Sequence, residues 1–401
     1  MSTQAGVGIS QHHNPKVAGQ TAVANALEQA DITQPDFVFL LATVGYRQEI
    51  LVKAVRAATG NAPLFGCSAA GIIAQGLADE SNFAVAVMVV RSDELWFHHG
   101  ALTGLSESSV SVGQELGRRI SQANGEDAIA LFLNADAITV NFDDLMTGLE
   151  QTSQRPLPII GSLCGDNFAY QKTYQYQDEK VISDGISWAL MSGKADLITG
   201  ISHGCVAVGQ QRTITRAEGN KIYEIDHQPV LNVLHDYLED DEIENWDRTA
   251  VNLGLGLVIP GLIGYGADYG GDVFIRCMMS KDEATGSVAM ATNINEGSDF
   301  WVTRRDTEKM QQAAKQTAFN VLNQLNGRIP KFVLHIECDG RGKMVLPETE
   351  KQAMIGIMQE IIGRDIPWIG LYAYGEVCPI KDQNCLHGFS GVLSVAGCRH
   401  Q

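Results

Sequence analysis

The chain has 401 residues, 45% hydrophobic and 19% charged, with a formal net charge of −18. That length and apolar content suit two or three globular modules with a sizeable core. The acidic balance, with no run of Lys or Arg, excludes a phosphate-tracking surface for nucleic acid, and no stretch reaches the ~18 apolar residues of a membrane span.

In chain order, residues 1–30 lead into a first module. Residues 36–44, DFVFLLATV, read as a buried strand. A helix follows, with Ile50, Leu51, Ala54, Val55 and Ala58 on one face. Pro63 opens LFGCSAAGIIAQG, an apolar run broken by glycines, and Phe83–Val90 is the next strand, with LWFHHGAL as its expected hairpin partner. The same grammar returns. Ala128–Ala135 is a strand, Phe142, Leu145, Met146 and Leu149 line a helix, PLPIIGSLCGD echoes the first glycine turn, and Ile186–Gly193 matches Phe83–Val90.

Residues 227–247 read as one helix with an acidic end, and residues 239–248 mark a module boundary. Beyond it come VNLGLGLVI, a long hairpin over residues 272–294 and a helix from Thr307 to about Leu325. A third copy of the repeat follows in FVLHIECDGRG, a helix carrying Met354, Met358, Ile361 and Ile362, IPWIGLYAYGEV and LHGFSGVLSVAG. The expected fold class is α/β with mixed α+β sheets, in two modules (31–240 and 249–401) built from repeated β-α-β-hairpin units.

The residues alone raise three chemistries. Ser68 in G-C-S-A-A-G misses the nucleophile elbow G-x-S-x-G, because Ala70 stands at the last glycine and a strand follows where a helix is needed. Cys67 after an apolar run reads as a small buried residue; a hydrolase or transferase using Cys67 or Ser68 is the second alternative. Gly254, Gly256, Gly261, Gly264 and Gly266 lack a nucleotide-loop spacing. Cys378, Cys385, His387, Cys398 and His400, with Cys338 and His335, offer soft metal ligands, but C-x6-C-x-H matches no zinc motif. Eight cysteines without C-x-x-C pairs fit reduced thiols in a cytoplasmic protein, and the N-terminus lacks a secretory pattern.

The chain resembles the FIST (F-box and intracellular signal transduction) family, with an N-terminal and a C-terminal FIST module over nearly its whole length. The elements that carry the resemblance are GCSAAG; PIIGSLCGDNF with Asp166; the turn Ser202, His203, Gly204, with Asp226 further on; ECDGRG with Cys338, Arg341 and Gly342; and GLYAYGEV with Gly375 and Glu376. In LHGFSGVLSV, His387 is kept, Gly388 replaces an asparagine and Ser390 a threonine, and Cys205 replaces an aromatic after His203. The resemblance implies a sensory, ligand-binding protein of signal transduction, without catalytic turnover or a required cofactor, read out through a separate partner such as a histidine kinase.

The implied ligand is small, an amino acid or carboxylate-like molecule, held at glycine turns whose N–H groups form anion nests. The expected ligand-binding residues are Gly66, Cys67, Ser68, Gly71, Gly161, Asp166, Ser202, His203, Cys338, Arg341, Gly342, Gly375, Glu376, His387 and Ser390. Arg341 is expected to take an anion and Glu376 an ammonium group, unless the two pair with each other. Some stand-alone bacterial members are haem-based nitric-oxide sensors, which makes haem on His203 or His387 the first alternative. His98 and His99 are adjacent on a strand and face opposite sides. A homodimer is left open.

Overall fold

The computed structural model describes residues 3–123, 127–258 and 273–398. Gly261, Gly264, Gly266 and His400 lie outside them. Three copies of one unit make the body of the molecule. The first is β1 (Gln4–Ser10), α1 (Pro15–Ala30), β2 (Phe37–Thr43), α2 (Gln48–Ala58), β3 (Leu64–Ala69), a hairpin of β4 (Gly71–Ala74) and β5 (Leu77–Asp79), and β6 (Val85–Arg91). The second is β7 (Leu95–Thr103), α3 (Leu105–Ala123), β8 (Ala128–Asp136), α4 (Phe142–Thr152), β9 (Ile159–Cys164), the hairpin β10 (Gln175–Gln177) and β11 (Lys180–Ile182), and β12 (Gly185–Gly193).

The third unit opens with β13 (Ala195–Ser202) and is then interrupted. The insertion holds β14 (Cys205–Glu218), β15 (Lys221–Ile225), β16 (Gln228–Pro229), α5 (Val230–Leu234), α6 (Asp240–Glu244), α7 (Trp246–Ala250), β17 (Leu253–Leu257), β18 (Phe274–Asp282), β19 (Ser287–Met290) and β20 (Asp299–Arg305). The unit resumes with α8 (Thr307–Leu325), β21 (Ile329–Cys338), α9 (Glu348–Ile362), β22 (Trp368–Ala373), the hairpin β23 (Gly375–Ile380) and β24 (Gln383–His387), and β25 (Gly391–Cys398).

The sheet orders are β1-β6-β2-β3-β10-β11, β7-β12-β8-β9-β23-β24 and β13-β25-β21-β22-β4-β5. In each, two strands are parallel across a helical crossover, two flank them antiparallel, and the last two come from another unit. The first unit's hairpin completes the third sheet, the second's completes the first, and the third's completes the second. One face of each sheet meets the other two in a shared apolar core that includes Phe39, Phe65, Phe132, Ile160, Ile336 and Ile369. The other faces are covered by α1 with α2, α3 with α4, and α8 with α9. Asn14, Asn141 and Asp306 start α1, α4 and α8 by accepting backbone N–H bonds, each such cap contributing about 1 kcal/mol.

The inserted sheet closes on itself, because β14 pairs with β20 along its first part and with β15 along its second. It has its own core around Ile214, Leu253, Phe300 and Val302, capped by the short helices.

The three units read from sequence are therefore present, and the mixed α/β class holds. Several local expectations change. LWFHHGAL pairs with β12, not with the strand before it, because it opens the second unit. Ile50 faces solvent, and α2 buries Leu51, Val52 and Val55 instead. The acidic helix is three short ones. Residues 4–30 are a core strand and helix rather than a lead-in, and sheets are shared across the 239–248 boundary.

The glycine rhythm has a steric cause. Gly66, Gly161 and Gly370 occupy equivalent positions beside Leu40, Leu133 and His335 on the parallel neighbour. A Cβ at each would lie 1.8, 2.2 and 2.3 Å from that neighbour's carbonyl oxygen. Gly161→Ala is therefore expected to destabilise the fold by about 1–3 kcal/mol, read as a lowered urea midpoint. Gly356→Ala in α9, where a Cβ meets nothing within 4 Å, should instead stabilise by up to about 1 kcal/mol. Equal effects at the two positions would refute the steric account.

Candidate functional site

Where the ring of three units meets the inserted sheet, polar side chains gather in the interior. β21 ends at Cys338, and the turn Asp339–Arg341 follows it. Glu337, fully buried, accepts from Arg341 Nε at 2.6 Å and lies 2.8 Å from His335 Nε2. Arg341 also donates to the Ser202 carbonyl at 3.5 Å and reaches Met354 Sδ at 3.5 Å. Burial alone would raise Glu337, yet Arg341 and His335 hold its carboxyl below the ordinary range. Breaking such a buried pair typically costs about 3–5 kcal/mol. The expected pairing of Arg341 with a ligand or with Glu376 is thus corrected: its guanidinium is committed to Glu337.

Glu376 is the second residue of β23 and is fully buried. Its Oε2 accepts from the Ser390 hydroxyl at 2.7 Å and the Ser390 N–H at 3.1 Å. Its Oε1 has no partner among the described residues, and neither has Asp339 Oδ2. Burial lifts Glu376 to about 8 and Asp339 to about 7. Each acid feels the other or its neighbours: Asp339 and Glu337 raise Glu376, while Arg305 lowers Asp339.

Arg305, at the end of β20, supplies the positive charge. Its guanidinium lies 3.7 Å from the Phe389 ring centroid, and Nε, Nη1 and Nη2 are buried without a hydrogen-bond partner among the described residues. Gly340 passes so close that a Cβ there would meet Arg305 Nη2 at 2.2 Å. Cys205, Cys338 and Phe389 pack together beneath, with Cys277 against them. Burial raises all three thiols, Cys205 to about 11, so none is an activated thiolate.

A loop from the second unit packs against Tyr374 and Lys343, close in sequence to Glu376 and Asp339. Asp166 accepts from the N–H groups of Tyr170, Gln171 and Lys172 at 2.8, 2.7 and 2.9 Å, and from the Tyr374 hydroxyl. Burial opposes its ionisation, but these bonds hold Asp166 below the ordinary carboxylate range. They also fix Asn167, Phe168 and Tyr170 at positive φ, a backbone cost of about 1–3 kcal/mol each. Tyr170 stacks on Tyr374 with ring centroids 4.5 Å apart. Lys343 lies over Phe168 and bonds Asn167.

Of the residues expected to bind ligand, Cys338, Glu376 and Ser390 come together at this cluster. Arg341 bonds the Ser202 carbonyl beside His203, and Asp166 anchors the loop that packs on Tyr374. A Cβ on Gly342 would meet Glu80 Oε1 at 2.3 Å, one on Gly71 the Glu80 Cγ at 2.5 Å, and one on Gly375 the Leu386 side chain. Gly66 and Gly161 line a narrow axial cavity of about 40 Å³ with apolar walls, room for little more than water. Ser68 bridges two units, donating to the Gly165 carbonyl at 2.8 Å and accepting from the Tyr174 N–H at 2.9 Å. Cys67 lies 3.9 Å from the Ser162 hydroxyl. Among the described residues neither has a basic partner in its hydrogen bonds.

The metal grouping does not assemble. Cys378 and Cys385 face each other across β23 and β24, while Cys398 ends the last strand beside Thr3. Among the described residues no three His, Cys, Asp or Glu side chains are placed to hold an ion. Each histidine considered for haem is hydrogen-bonded through one ring nitrogen. His387 Nε2 bonds the Cys378 carbonyl at 2.9 Å and its ring lies near Phe274. His203 Nδ1 accepts from the Cys205 N–H at 3.0 Å. Burial lowers His203 to about 4 and His387 to about 3. His99 instead lies 3.1 Å from Asp178.

Arg305, Asp339 and Phe389 were missed. One signal was available: in FWVTRR strand alternation puts Arg304 with Phe300 and Val302, and Arg305 on the opposite face. Arg304 accordingly meets Glu242 at 3.0 Å, on the side of the inserted core.

The raised acids set a pH dependence. Glu376 and Asp339 titrate above their ordinary values of 4.5 and 3.8, so between those limits the folded chain holds more protons than the unfolded one. Their contribution to stability therefore falls as pH rises. The lowered histidines act oppositely, but only below 6.5. From pH 6.5 to 8 the thermal midpoint should fall, and Glu376→Gln should flatten that slope and raise the midpoint at pH 8. A slope unchanged in the variant would contradict the burial of this acid.

Comparison with known proteins agrees with the family resemblance. A FIST N domain matches residues 36–228 and a FIST C domain residues 231–379. An uncharacterised protein of Mycobacterium tuberculosis is 24% identical over 394 residues, covering 97% of this chain and 98% of that one. An uncharacterised protein of Methanocaldococcus jannaschii is 30% identical over 162 residues, 38% of this chain and 30% of that one. Among solved structures, a cyanuric acid hydrolase from A. caulinodans aligns with 99% of this chain and 100% of its own at 10% identity, with a TM-score of 0.38. PurL of T. maritima with ADP aligns at 9% identity over 98% of this chain and 71% of its own, with a TM-score of 0.24. Scores this low carry no functional weight. FIST domains are sensor domains of signal transduction. With its two domains found in order from residue 36 to residue 379, the chain belongs to the FIST family.

Proposed function

We propose that this chain senses a small carboxylate-bearing ligand, an amino acid or a related molecule, in the cluster of Arg305, Asp339 and Glu376. One observation carries the reading: among the described residues, a guanidinium with three nitrogens lacking a hydrogen-bond partner shares a buried site with two carboxyl oxygens that lack one. Leaving a buried polar group unsatisfied costs about 1–3 kcal/mol, and more when it is charged. A ligand carboxylate would take two Arg305 N–H bonds in a fork. An ammonium or N–H donor on the same ligand would meet Glu376 Oε1 or Asp339 Oδ2. Binding would bridge the ring and the inserted sheet, and so favour one arrangement of the two over another. Readout through a separate partner, such as a histidine kinase, completes the proposal; it needs neither turnover nor a cofactor.

Two measurements test it. L-amino acids and acetate are screened by thermal shift, and a saturable rise in midpoint is expected for at least one. Arg305→Gln should weaken that ligand about 10- to 100-fold, the range of a charge-assisted bond. Independently, alkylation of Cys338 and Cys277 by anionic iodoacetate is compared with alkylation by neutral iodoacetamide, using peptide mass spectrometry. The wild type should favour iodoacetate relative to free cysteine, and Arg305→Gln should erase that preference. No preference in the wild type sinks the anion-site reading.

A further inference from the structure

The hairpin that the third unit donates sets Cys378 directly opposite Cys385. Among the described residues no other cysteine lies opposite a cysteine in a strand register. The spacing of the pair follows from the strand pattern. β23 and β24 join through a two-residue turn, with Ile380 opposite Gln383 and Pro379 opposite Asn384. Proline has no N–H, so Pro379–Asn384 is the kind of pair that exchanges no backbone bonds. Alternation then makes Cys378–Cys385 a bonded pair, with Cα atoms about 5.5 Å apart. Disulfides join Cα atoms about 4.4–6.8 Å apart, most often near that value. Directly opposed side chains also share a face of the sheet. Both residues are free thiols. Cys378 Sγ donates to the Pro379 carbonyl at 3.4 Å and Cys385 Sγ to the Gln383 carbonyl at 3.5 Å. Joining them takes a rotation of each side chain and no change of register.

We propose that Cys378 and Cys385 are a modification site, which forms a reversible cross-strand disulfide by exchange with a low-molecular-weight disulfide such as glutathione disulfide. β24 ends its sheet, and Cys385 on it is 8% exposed against 1% for Cys378, so Cys385 reacts first. Its thiolate attacks one sulfur of the small disulfide, whose S–S bond breaks and releases one thiol. The Cys378 thiolate then attacks the Cys385 sulfur of the mixed disulfide, forms the protein S–S bond and releases the second thiol. Two cysteines are oxidised, one small disulfide is reduced to two thiols, and the protons lost by the cysteines end on those thiols. Burial raises both protein thiols, which slows the exchange, and the charge of Arg276 opposes the rise at Cys385. The link has a structural consequence. β23 pairs with β9 over Gly375–Val377, and the rest of the hairpin extends past that ladder, tied by the Asn384 side chain to Leu157 and Ile159. A disulfide clamps this extension two residues from Glu376 and His387, which also face each other. None of this depends on the ligand reading above.

The test uses the full-length protein, equilibrated with glutathione disulfide under native conditions. Remaining thiols are blocked with N-ethylmaleimide, and tryptic peptides are analysed without reduction by mass spectrometry. Cleavage after Lys381 separates the two cysteines, so the disulfide joins peptides 365–381 and 382–399. Fragmentation distinguishes Cys385 from Cys398 in the second peptide. A Cys378–Cys385 link in most molecules, removed by dithiothreitol, is expected. Cys378→Ser should leave Cys385 as a mixed disulfide with glutathione, and Cys385→Ser should leave Cys378 as a thiol. Should either variant not fold, the wild-type result decides. Two thiols in the wild type at equilibrium, a mixed disulfide that persists at Cys385, or a link from either cysteine to a different one overturns the site. Hydrogen exchange reads the clamp: amides of residues 375–387 should exchange at least about threefold more slowly in the linked protein than in the reduced one. Equal exchange in the two forms overturns the clamp.

Discussion

Backbone pairing between units is the constraint on which this molecule depends. The strand that ends each βαβ crossover, β3, β9 or β22, has a bare edge, and a hairpin from a different unit covers it. An uncovered edge leaves a row of unpaired N–H and C=O groups and invites aggregation. No unit can satisfy its own edge, so the three must close as a ring. That closure brings the inner faces of the sheets together in one core. It also places the second unit's loop at residues 166–172 over the third unit's strand ends, because the loop runs from β9 to its donated hairpin.

The same ring explains where the cluster of Arg305, Asp339 and Glu376 can exist. A buried charge in a continuous apolar core would be prohibitively costly. At the seam between ring and inserted sheet, strand ends and turns offer donors such as Ser390 to one oxygen of Glu376. The Glu337–Arg341–His335 network neutralises the charge behind it. Arg305 is packed against Phe389 and Gly340, and its guanidinium has no hydrogen-bond partner among the described residues. Buried polar groups in a structural core are normally hydrogen-bonded, which is why this cluster carries the ligand proposal.

Much of the ring was legible in the sequence. The recurrence of proline, a short apolar run, glycine and small residues marks three strand ends, and the structure gives the reason in the close approach at Gly66, Gly161 and Gly370. The motif residues Cys338, Glu376 and Ser390 also converge. What stayed hidden was non-local. Hairpin exchange leaves no local trace, because a strand has the same alternation whichever unit it pairs with. The β7 segment was assigned to the wrong partner for that reason. Arg341 looked like the anion receptor because it sits in a glycine turn, but a glutamate four residues earlier claims it. Arg305 sits 36 residues before it in sequence, beside an arginine that faces the other way, and only the fold distinguishes the two.

Three equivalent strand ends surround the ring, and counting from the paired positions Thr43–Ala69, Asp136–Cys164 and Cys338–Ala373 shows how differently they are furnished. Glu376 of the third unit corresponds to Ile72 in the first and Asn167 in the second, and Asp339 to Val44 and Ala137. Threefold architecture has thus been kept while threefold chemistry has not. A ligand recognised by this acid pair would have a valency of one per chain, and its arrival would distort a symmetric frame at a single vertex.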